Sequence, residues 1–447
     1  MSKIFVFLNR FKFIPLSIIF LLALSSSIFA ESSAEIGDVK IAINTIWVMF
    51  GATLVFFMQA GFGMVEAGFI RAKNTCNILT KNFMDFAMAS LGFFAVGYAI
   101  MFGTSVHGIF GTTGFLLKGL PSMTGDIPTF VHWLFQAMFA GAAATIVAGA
   151  MAGRMKFKSY MIYSFLISAV VYPIVGHWVW NSHGWIANMG FLDFAGSTVV
   201  HATGGWAAFI GAYLLGARIG KFNKDKSANA IVGHNIPLAS LGVFILWFGW
   251  FGFNAGSTLS GMDFNTIGLV AINTNLAAAA GAFITMIIVW VLYGKPDLSM
   301  IMNGALAGLV AITAPCAFVT PIAAIIIGSI AGVVIVFGIK LVDKLMVDDP
   351  VGAVAVHGFN GLWGTLAVGL FHSKLGLFYG GGLHQLIVQT IGVVACISFV
   401  VFTMFIIFKM IDMTIGLRVS REEELKGLDI SEHGMEAYAG FQLFAND

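Results

Sequence analysis

Long apolar segments separated by short polar breaks fill the chain from about residue 41 onward. A helix needs about 20 apolar residues to cross the hydrocarbon core of a bilayer, and each segment is close to that length or longer. The pattern predicts an all-α polytopic membrane protein with eleven transmembrane helices. The predicted spans are about 41–69, 76–103, 128–152, 159–180, 195–217, 234–256, 266–293, 299–317, 321–341, 351–371 and 384–414.

The basic residues of the connections fall on alternate loops. One set of loops carries thirteen of them, whereas the other set carries only Lys118 and Lys374. Because loops rich in Lys and Arg stay in the cytoplasm, the first set is expected inside a plasma or inner membrane. The mature N-terminus is then outside and the C-terminus is cytoplasmic. The thirteen residues are Arg71, Lys73, Lys81, Arg154, Lys156, Lys158, Arg218, Lys221, Lys224, Lys226, Lys295, Lys340 and Lys344.

The composition supports a membrane location and excludes several other classes. The chain is 59% hydrophobic and 10% charged, with a mean hydropathy of +0.92, whereas soluble domains carry about a quarter charged residues. A net charge of +2 favours no nucleic-acid partner. Cys76, Cys316 and Cys396 are too few and too scattered for a disulfide framework or a metal cluster. We therefore expect no metal and no cofactor.

The first 30 residues have the features of a secretory signal peptide. Basic residues precede the apolar run 14–24, and small residues precede a cleavage site after Ala30. An uncleaved first helix is the alternative, but the run is short for a span, which favours cleavage. The domain organisation predicted is a signal peptide at 1–30, a membrane domain at 41–414 and a regulatory tail at 415–447. The membrane domain comprises halves at about 41–217 and 234–371 and an extra helix at 384–414.

Two stretches of the chain resemble each other. Asp193 precedes His201 by eight residues, and Asp349 precedes His357 by the same distance, each time at the start of an apolar segment. Glycine and valine positions match between the two, as a duplication predicts, although chance in a chain rich in Gly, Val and Ala is the alternative. The two helices enter from opposite faces, so the halves form a 5+5 inverted repeat with an eleventh helix added. Both histidines then lie near the membrane midplane.

Each of these four polar residues has a structural and a functional interpretation. Ionisable groups inside membrane helices are costly and often mark a transport path, so we favour a functional histidine pair over two packing histidines. A neutral imidazole can both donate and accept a hydrogen bond, so a pair forms a short relay. Asp193 and Asp349 are expected to begin helices, since Asp accepts hydrogen bonds from free backbone N–H groups. The negative charge of Asp193 would also favour a cation.

Three groups of aromatic residues lie near the ends of spans. They are found at 132–139, at Trp178 and Trp180, and at 247–257, where a serine follows. Aromatic faces with one hydroxyl acceptor suit a small cation, through cation–π attraction and a hydrogen bond. Aromatic belts at the membrane interface are the alternative explanation.

Several long strings in the sequence resemble the Amt/Mep/Rh ammonium transporter family, in particular its prokaryotic Amt branch. The resemblance extends over essentially the whole mature chain. It is carried by GFIRAKN at 68–74, DFAGSTVVH at 193–201, WFGFNAGS at 250–257, AVHG at 355–358, GLRVS at 416–420 and GLDISEHG at 427–434.

The resemblance assigns roles to residues at the matching positions. It implies a pore relay formed by His201 and His357 and a phenylalanine gate formed by Phe139 and Phe253. Both histidines are present, unlike in members where the first is Glu, so a paired relay is expected.

The resemblance also implies an outer ammonium recruitment site made of Phe135, Trp180 and Ser257. Trp250 lines the pore, and Asp193 matches an aspartate near the outer vestibule. Between Trp180 and Asp193 the chain is one residue longer than the family pattern, which makes Trp178 the alternative to Trp180.

The function that the resemblance implies is ammonium transport by a homotrimer with one pore per subunit. Ammonium is recruited outside and deprotonated, and ammonia passes the histidines. The proton either stays outside or crosses by the relay. The tail motif implies regulation by a PII-type signalling protein. An ammonium sensor would be expected to carry a long appended output domain, and a Rh-like carbon dioxide channel fits the tail motif less well. An intramembrane hydrolase or metal-binding protein is not supported, because HExxH and GxSxG motifs are absent from the sequence.

Overall fold

The computed structural model describes the backbone of residues 14–438 and the side chains of residues 36–438. The predicted signal peptide at 1–30 lies outside the residues with described side chains and stays a prediction. Helix α1 is Ile14–Phe69, of which Ile36–Phe69 has the length and hydropathy of a span. The further helical segments are α2 (Ala72–Phe102), α3 (Thr129–Ala150), α4 (Phe157–Trp180), α5 (Ser197–Leu215), α6 (Ile236–Ala255), α7 (Phe264–Tyr293), α8 (Leu298–Thr313), α9 (Pro321–Lys344), α10 (Val354–Phe371) and α11 (His384–Thr414).

The all-α membrane architecture that the hydropathy pattern predicts is confirmed. Ten helices of the described chain are long and apolar enough to cross a membrane, and α8 is a shorter apolar helix at the place of the eighth predicted span. That span was expected to reach residue 317, but α8 ends at Thr313, just before Pro315, which lacks the backbone N–H that helix continuation needs. Apart from the start of α1, which lies at Ile14 and not near residue 41, the other ends agree with the predicted spans to within about five residues.

Polar caps and prolines explain several helix starts. The side chains of Asn235, Asp263, Asp297 and Thr320 each accept a hydrogen bond from a backbone N–H in the first turn of the next helix. Pro321 begins α9 at a position where a missing N–H costs nothing. The short strand pairs Ser105–Val106 with Phe110–Gly111 and Met123–Thr124 with Ile127–Pro128 lie in the α2–α3 connection.

The two matching stretches have matching local structure. The Asp193 carboxylate accepts four backbone N–H bonds, from residues 196–199, at 2.8–3.0 Å. The Asp349 carboxylate accepts bonds from residues 352 and 354 at 3.1 and 2.7 Å. Gly196 and Gly352 both have a positive φ. The π-helical segments Ser197–Ala202 and Val354–Phe359 follow. The helix-start role expected of both aspartates is confirmed.

Helices α5 and α10 cross closely, and the contact is reciprocal. A Cβ on Gly205 would come within 2.1 Å of the backbone N of Gly358, which follows His357. A Cβ on Gly361 would come within 2.8 Å of the backbone N of Ala202, which follows His201. Each glycine lies four residues after its own histidine. The pattern is the one that a pseudo-twofold axis between the two halves produces.

The segment after α11 folds back onto the membrane domain. It forms the short helices α12 (Arg421–Lys426) and α13 (Leu428–His433), and a capping box at Ser420 begins the first. The Asp429 carboxylate accepts from the backbone N of Asn77 at 2.8 Å, and Glu432 accepts from that of Phe157 at 2.7 Å. The face of the membrane domain that these helices cover is called the tail side below, and the opposite face the far side.

A buried ion pair joins two connections on the tail side. The Arg218 guanidinium donates to both oxygens of Asp348, at 2.7 and 2.8 Å, and the backbone N of Arg218 donates as well. Arg154 donates to the Asp348 carbonyl at 2.6 Å. The loop before α10 is therefore fixed to the ends of α3 and α5.

Candidate functional site

An aromatic cavity of about 220 Å³ lies at the far-side ends of α3, α4 and α6. Ser257 donates its hydroxyl hydrogen to the Phe253 carbonyl at 2.7 Å, so the lone pairs of its oxygen remain able to accept. Apolar ring faces with one acceptor suit a small cation such as a protonated amine. The lining residues are Phe102, His132, Phe135, Gln136, Phe139, Trp180, Phe194, Ser257 and Leu259.

The structure places Trp180 and Trp178 in different surroundings. Trp180 lines the aromatic cavity, with its indole N–H bonded to the Asp193 carbonyl at 2.7 Å. Trp178 instead packs against Phe399 and donates to the Ile109 carbonyl at 2.9 Å. Of the two alternatives, only Trp180 is among the residues that line this cavity.

Two phenylalanine rings are in contact at the aromatic cavity, and one of them, Phe139, lines it. The ring centroids of Phe139 and Phe253 are 4.2 Å apart, and both side chains are buried. Phe135 lies one helical turn from Phe139, with centroids 4.8 Å apart. The rings of Phe135, Phe139 and Phe253 therefore form one aromatic contact cluster.

Of the two predicted histidines, His201 packs against Phe253, and His357 contacts His201. The His201 ring is nearly parallel to those of Phe253 and Trp250, with centroids 5.3 and 5.1 Å away. The Nδ1 atoms of His201 and His357 are 3.2 Å apart. Trp250 is held by a bond from its indole N–H to the Thr313 hydroxyl at 2.9 Å. The two imidazoles thus form a contact pair within an apolar surround.

Two further cavities lie on the tail side of the pair. The nearer one, the inner cavity, has a volume of about 20 Å³ and is lined by His357, Glu66 and mostly apolar side chains. The larger one, the tail-side cavity, has about 650 Å³ and includes Asp349. Asn303 and Val351 line both. The aromatic cavity, the rings, the histidines and these two cavities follow one another across the domain.

The comparison with known proteins decides the family. Residues 46–438 match the Ammonium Transporter Family. The chain belongs to this family. It is 49% identical over 424 residues to ammonium transporter Amt2 of Archaeoglobus fulgidus, covering 90% of this chain and 89% of that one. A putative ammonium transporter of Synechocystis sp. is 45% identical, with 90% of each chain covered.

Solved structures of ammonium transporter family members have the same fold. A protein described as a sensor Amt protein superposes with a TM-score of 0.85 at 41% identity, covering 89% of this chain and 99% of that one. Mep2 of Candida albicans superposes with a TM-score of 0.79 at 30% identity, covering 86% and 87%. The chain is therefore a multi-pass membrane protein of a transporter family, not of an enzyme family, and archaeal and cyanobacterial relatives agree with the prokaryotic Amt branch.

Sequence reasoning assigned no role to several polar residues that line the cavities, among them His132, Gln136 and Glu66. His132 and Gln136 face the aromatic cavity, one turn apart on α3. Glu66 lies on the inner cavity. Glu66 is the one acidic or basic residue in the span 41–69, and that signal was available in the sequence.

Proposed function

We propose that the chain transports ammonium by recruiting the cation at the aromatic cavity, deprotonating it and conducting ammonia past the histidine pair. The observation that supports this proposal most is the order in which the aromatic cavity, the phenylalanine rings and the histidine pair follow one another along one path. An aromatic cavity with an acceptor hydroxyl leads, past two rings in tilted contact, to a buried pair of imidazoles that can act as neutral bases. In this account Phe135, Trp180 and Ser257 bind ammonium, and Phe139 and Phe253 form the gate.

Selectivity against potassium follows from this order of parts. A cation stripped of water pays heavily in an apolar passage, and the side chains below the gate offer little to replace its hydration. Potassium has no neutral form, whereas ammonium can release a proton and continue as ammonia. The imidazole nitrogens of His201 and His357 can hydrogen-bond to ammonia as it passes. Trp250 lines this part of the path.

Asp193 contributes to the path by positioning other residues that line it. Its carboxylate is occupied by four backbone N–H groups at the start of α5, and its carbonyl holds the indole of Trp180. It therefore fixes both the helix that carries His201 and one wall of the aromatic cavity. Its negative charge adds to the attraction of a cation from the far side.

The proton released at the gate has two possible destinations. It can return to the far side, in which case the net flux is ammonia gas. Alternatively it can pass between the two imidazoles, in which case a net positive charge crosses with ammonia. The direct contact between Nδ1 atoms supports the second route.

Transport itself is tested by reconstituting the purified protein into vesicles that contain a pH dye and exposing them to an ammonium gradient. The expected result is an internal pH change that is faster than in protein-free vesicles and is slowed by Phe135→Ala together with Ser257→Ala. A rate equal to that of protein-free vesicles, with the protein shown to be folded, would contradict transport and favour the sensor alternative.

The cellular arrangement is part of the same proposal. The far side faces the outside of a plasma or inner membrane, the tail side faces the cytoplasm, and the signal peptide at 1–30 is removed. The chain assembles as a homotrimer, and the tail, at 415–447, is the docking site of a PII-type signalling protein. Reporter fusions to either side, N-terminal sequencing of the mature protein and native mass spectrometry test these points separately.

A further inference from the structure

Glu66 is a buried carboxylate on the path that the proposed mechanism leaves unused. It lies in the last turn of α1, and its side chain is 3% exposed. A carboxylate in a membrane helix costs several kcal/mol when it carries a charge and has no ionic partner. Such a residue therefore calls for a functional explanation.

In the described chain, the contacts of Glu66 position its side chain but do not include a basic partner in an ion pair. One oxygen, Oε2, accepts from the Asn82 amide at 2.7 Å. The other, Oε1, lies beside Gly149, where a Cβ would approach it to 3.3 Å. Among the described residues, Glu66 forms no ion pair. The nearest ionisable neighbours on α2 are engaged elsewhere: Lys81 donates to the Met155 carbonyl and Asp85 accepts from the Tyr160 hydroxyl.

Glu66 and His357 share the inner cavity, and they are its only titratable lining residues within the part of the chain that the structure describes. The cavity volume of about 20 Å³ is enough for one water molecule. His357 uses Nδ1 to contact His201, so its other ring nitrogen, Nε2, remains for a partner. A base, a space for one water and a carboxylate are therefore adjacent on the tail side of the pair.

We propose that Glu66 is the proton acceptor on the tail side of the histidine pair. This inference rests on the proposed transport function and on the relay route for the proton. When His357 carries the proton, its Nε2–H bond breaks, and an O–H bond forms on Glu66, directly or through one water. The O–H bond then breaks as the proton passes to ammonia or water in the tail-side cavity. His357 is left neutral, and the Glu66 carboxylate is regenerated.

The position of Glu66 also determines the side on which a relayed proton leaves the path, which is the tail side. Asn303 and Val351 form the boundary between the inner cavity and the tail-side cavity, which has room for many water molecules. A proton on Glu66 is thus separated from the tail-side cavity by the residues that line both cavities. A proton on the histidine pair is instead enclosed by Trp250, Phe253 and the backbones of α5 and α10.

The test compares Glu66→Gln with wild type and with Asp85→Asn in proteoliposomes, recording ammonium-evoked current and internal pH. Glutamine keeps the shape and can still accept from Asn82, but it cannot take up a proton. The expected result is a current reduced roughly tenfold or more in Glu66→Gln, with the ammonia-driven pH change retained. Asp85→Asn removes a buried carboxylate in the same half that does not line the cavity, so it keeps the current.

Three outcomes overturn the proposal. The first is a wild-type current in Glu66→Gln. The second is a wild-type protein that changes internal pH but passes no current, which leaves ammonia transport standing but gives Glu66 no proton to accept. The third applies if Glu66→Gln does not fold: infrared difference spectra of the wild type would then show no protonated carboxylic acid on ammonium perfusion. A wild type with neither current nor pH change refutes the proposed function itself.

Discussion

Nδ1 of His201 and Nδ1 of His357 are 3.2 Å apart, although the two residues are 156 positions apart in the chain. Only one of two facing imidazole nitrogens can donate, so one hydrogen is shared at this contact. The equivalent positions of the two residues in α5 and α10 make the contact nearly symmetric. When the pair carries an excess proton, one ring is an imidazolium, and transfer across the Nδ1–Nδ1 contact moves the positive charge between equivalent bases without separating opposite charges, which is the property that a relay needs.

Replacing either histidine by alanine should remove the relay. With His201→Ala or His357→Ala, we expect the ammonium-evoked current to disappear, or potassium to be admitted because water fills the enlarged passage. The measurement is the current in proteoliposomes with ammonium and then with potassium. His384→Ala, at the exposed start of α11, is the control and should behave as wild type. Unchanged current and selectivity in both pore variants would contradict a role for the pair.

The aromatic cavity predicts different effects for two neighbouring tryptophans. Trp180→Leu removes a ring face from the cavity, and the loss of a cation–π contact of about 0.5–2 kcal/mol should raise the half-saturating ammonium concentration about 2- to 30-fold. Trp178→Leu changes packing against Phe399 and should leave this concentration near the wild-type value. The concentration dependence of ammonium uptake distinguishes them. A larger effect at Trp178 would show that this residue, not Trp180, binds the cation.

The crossing of α5 and α10 depends on the missing side chain of Gly205. In Gly205→Ala the new Cβ would lie 2.1 Å from the backbone N of Gly358, so the helices must separate. We expect a loss of about 1–3 kcal/mol or more in the free energy of unfolding, seen as a lower unfolding midpoint in detergent. Gly268→Ala, on α7 with no atom within 4 Å of the new Cβ, is the control and should cause no loss. Equal midpoints would refute the close crossing.

The ion pair on the tail side predicts a pH dependence of stability. Burial by itself would raise the pKa of Asp348, but the hydrogen bonds and charges of Arg218 and Arg154 outweigh it and lower the pKa to about 2. A folded-state pKa below the ordinary 3.8 means that about 2 kcal/mol of stability is present above pH 4 and is lost as the pH falls through 2.

Thermal unfolding of wild type and Asp348→Asn at several pH values tests this dependence. The variant should unfold at a lower temperature than wild type near neutral pH, and the difference should shrink below about pH 4, as the wild-type carboxylate also becomes neutral. A difference that stays constant down to pH 2 would show that the Asp348 charge does not contribute.

The spans and helix starts could be predicted from the sequence because they follow from local chemistry. Hydropathy determines which segments enter a bilayer, and the preference of Asp for free N–H groups determines the role of Asp193. The predicted end of α8 was wrong because it followed hydropathy alone, although Pro315 is visible in the sequence and marks a helix end. Gly205 was expected from the sequence as a packing residue and as a position that matches Gly361 in the repeat, but its contact with Gly358, 153 residues further along the chain, was not.

The direction of individual side chains could not be predicted from residue spacing. The spacing of Trp178 and Trp180 gave no basis for choosing between them, because a π-helical segment, Ile167–Val171, shifts the phase of α4. His132 and Gln136 could not be assigned to a cavity either, because the composition of α3 does not show which of its faces meets the aromatic cavity.

Ammonium-evoked current measured together with internal pH, with potassium as the control cation, tests the central claim most directly. The account predicts a current with ammonium and none with potassium, in proteoliposomes that contain only this protein. A rise in internal pH without current would contradict the relay between His201 and His357. Silence in both measurements, with folded protein, would contradict transport itself.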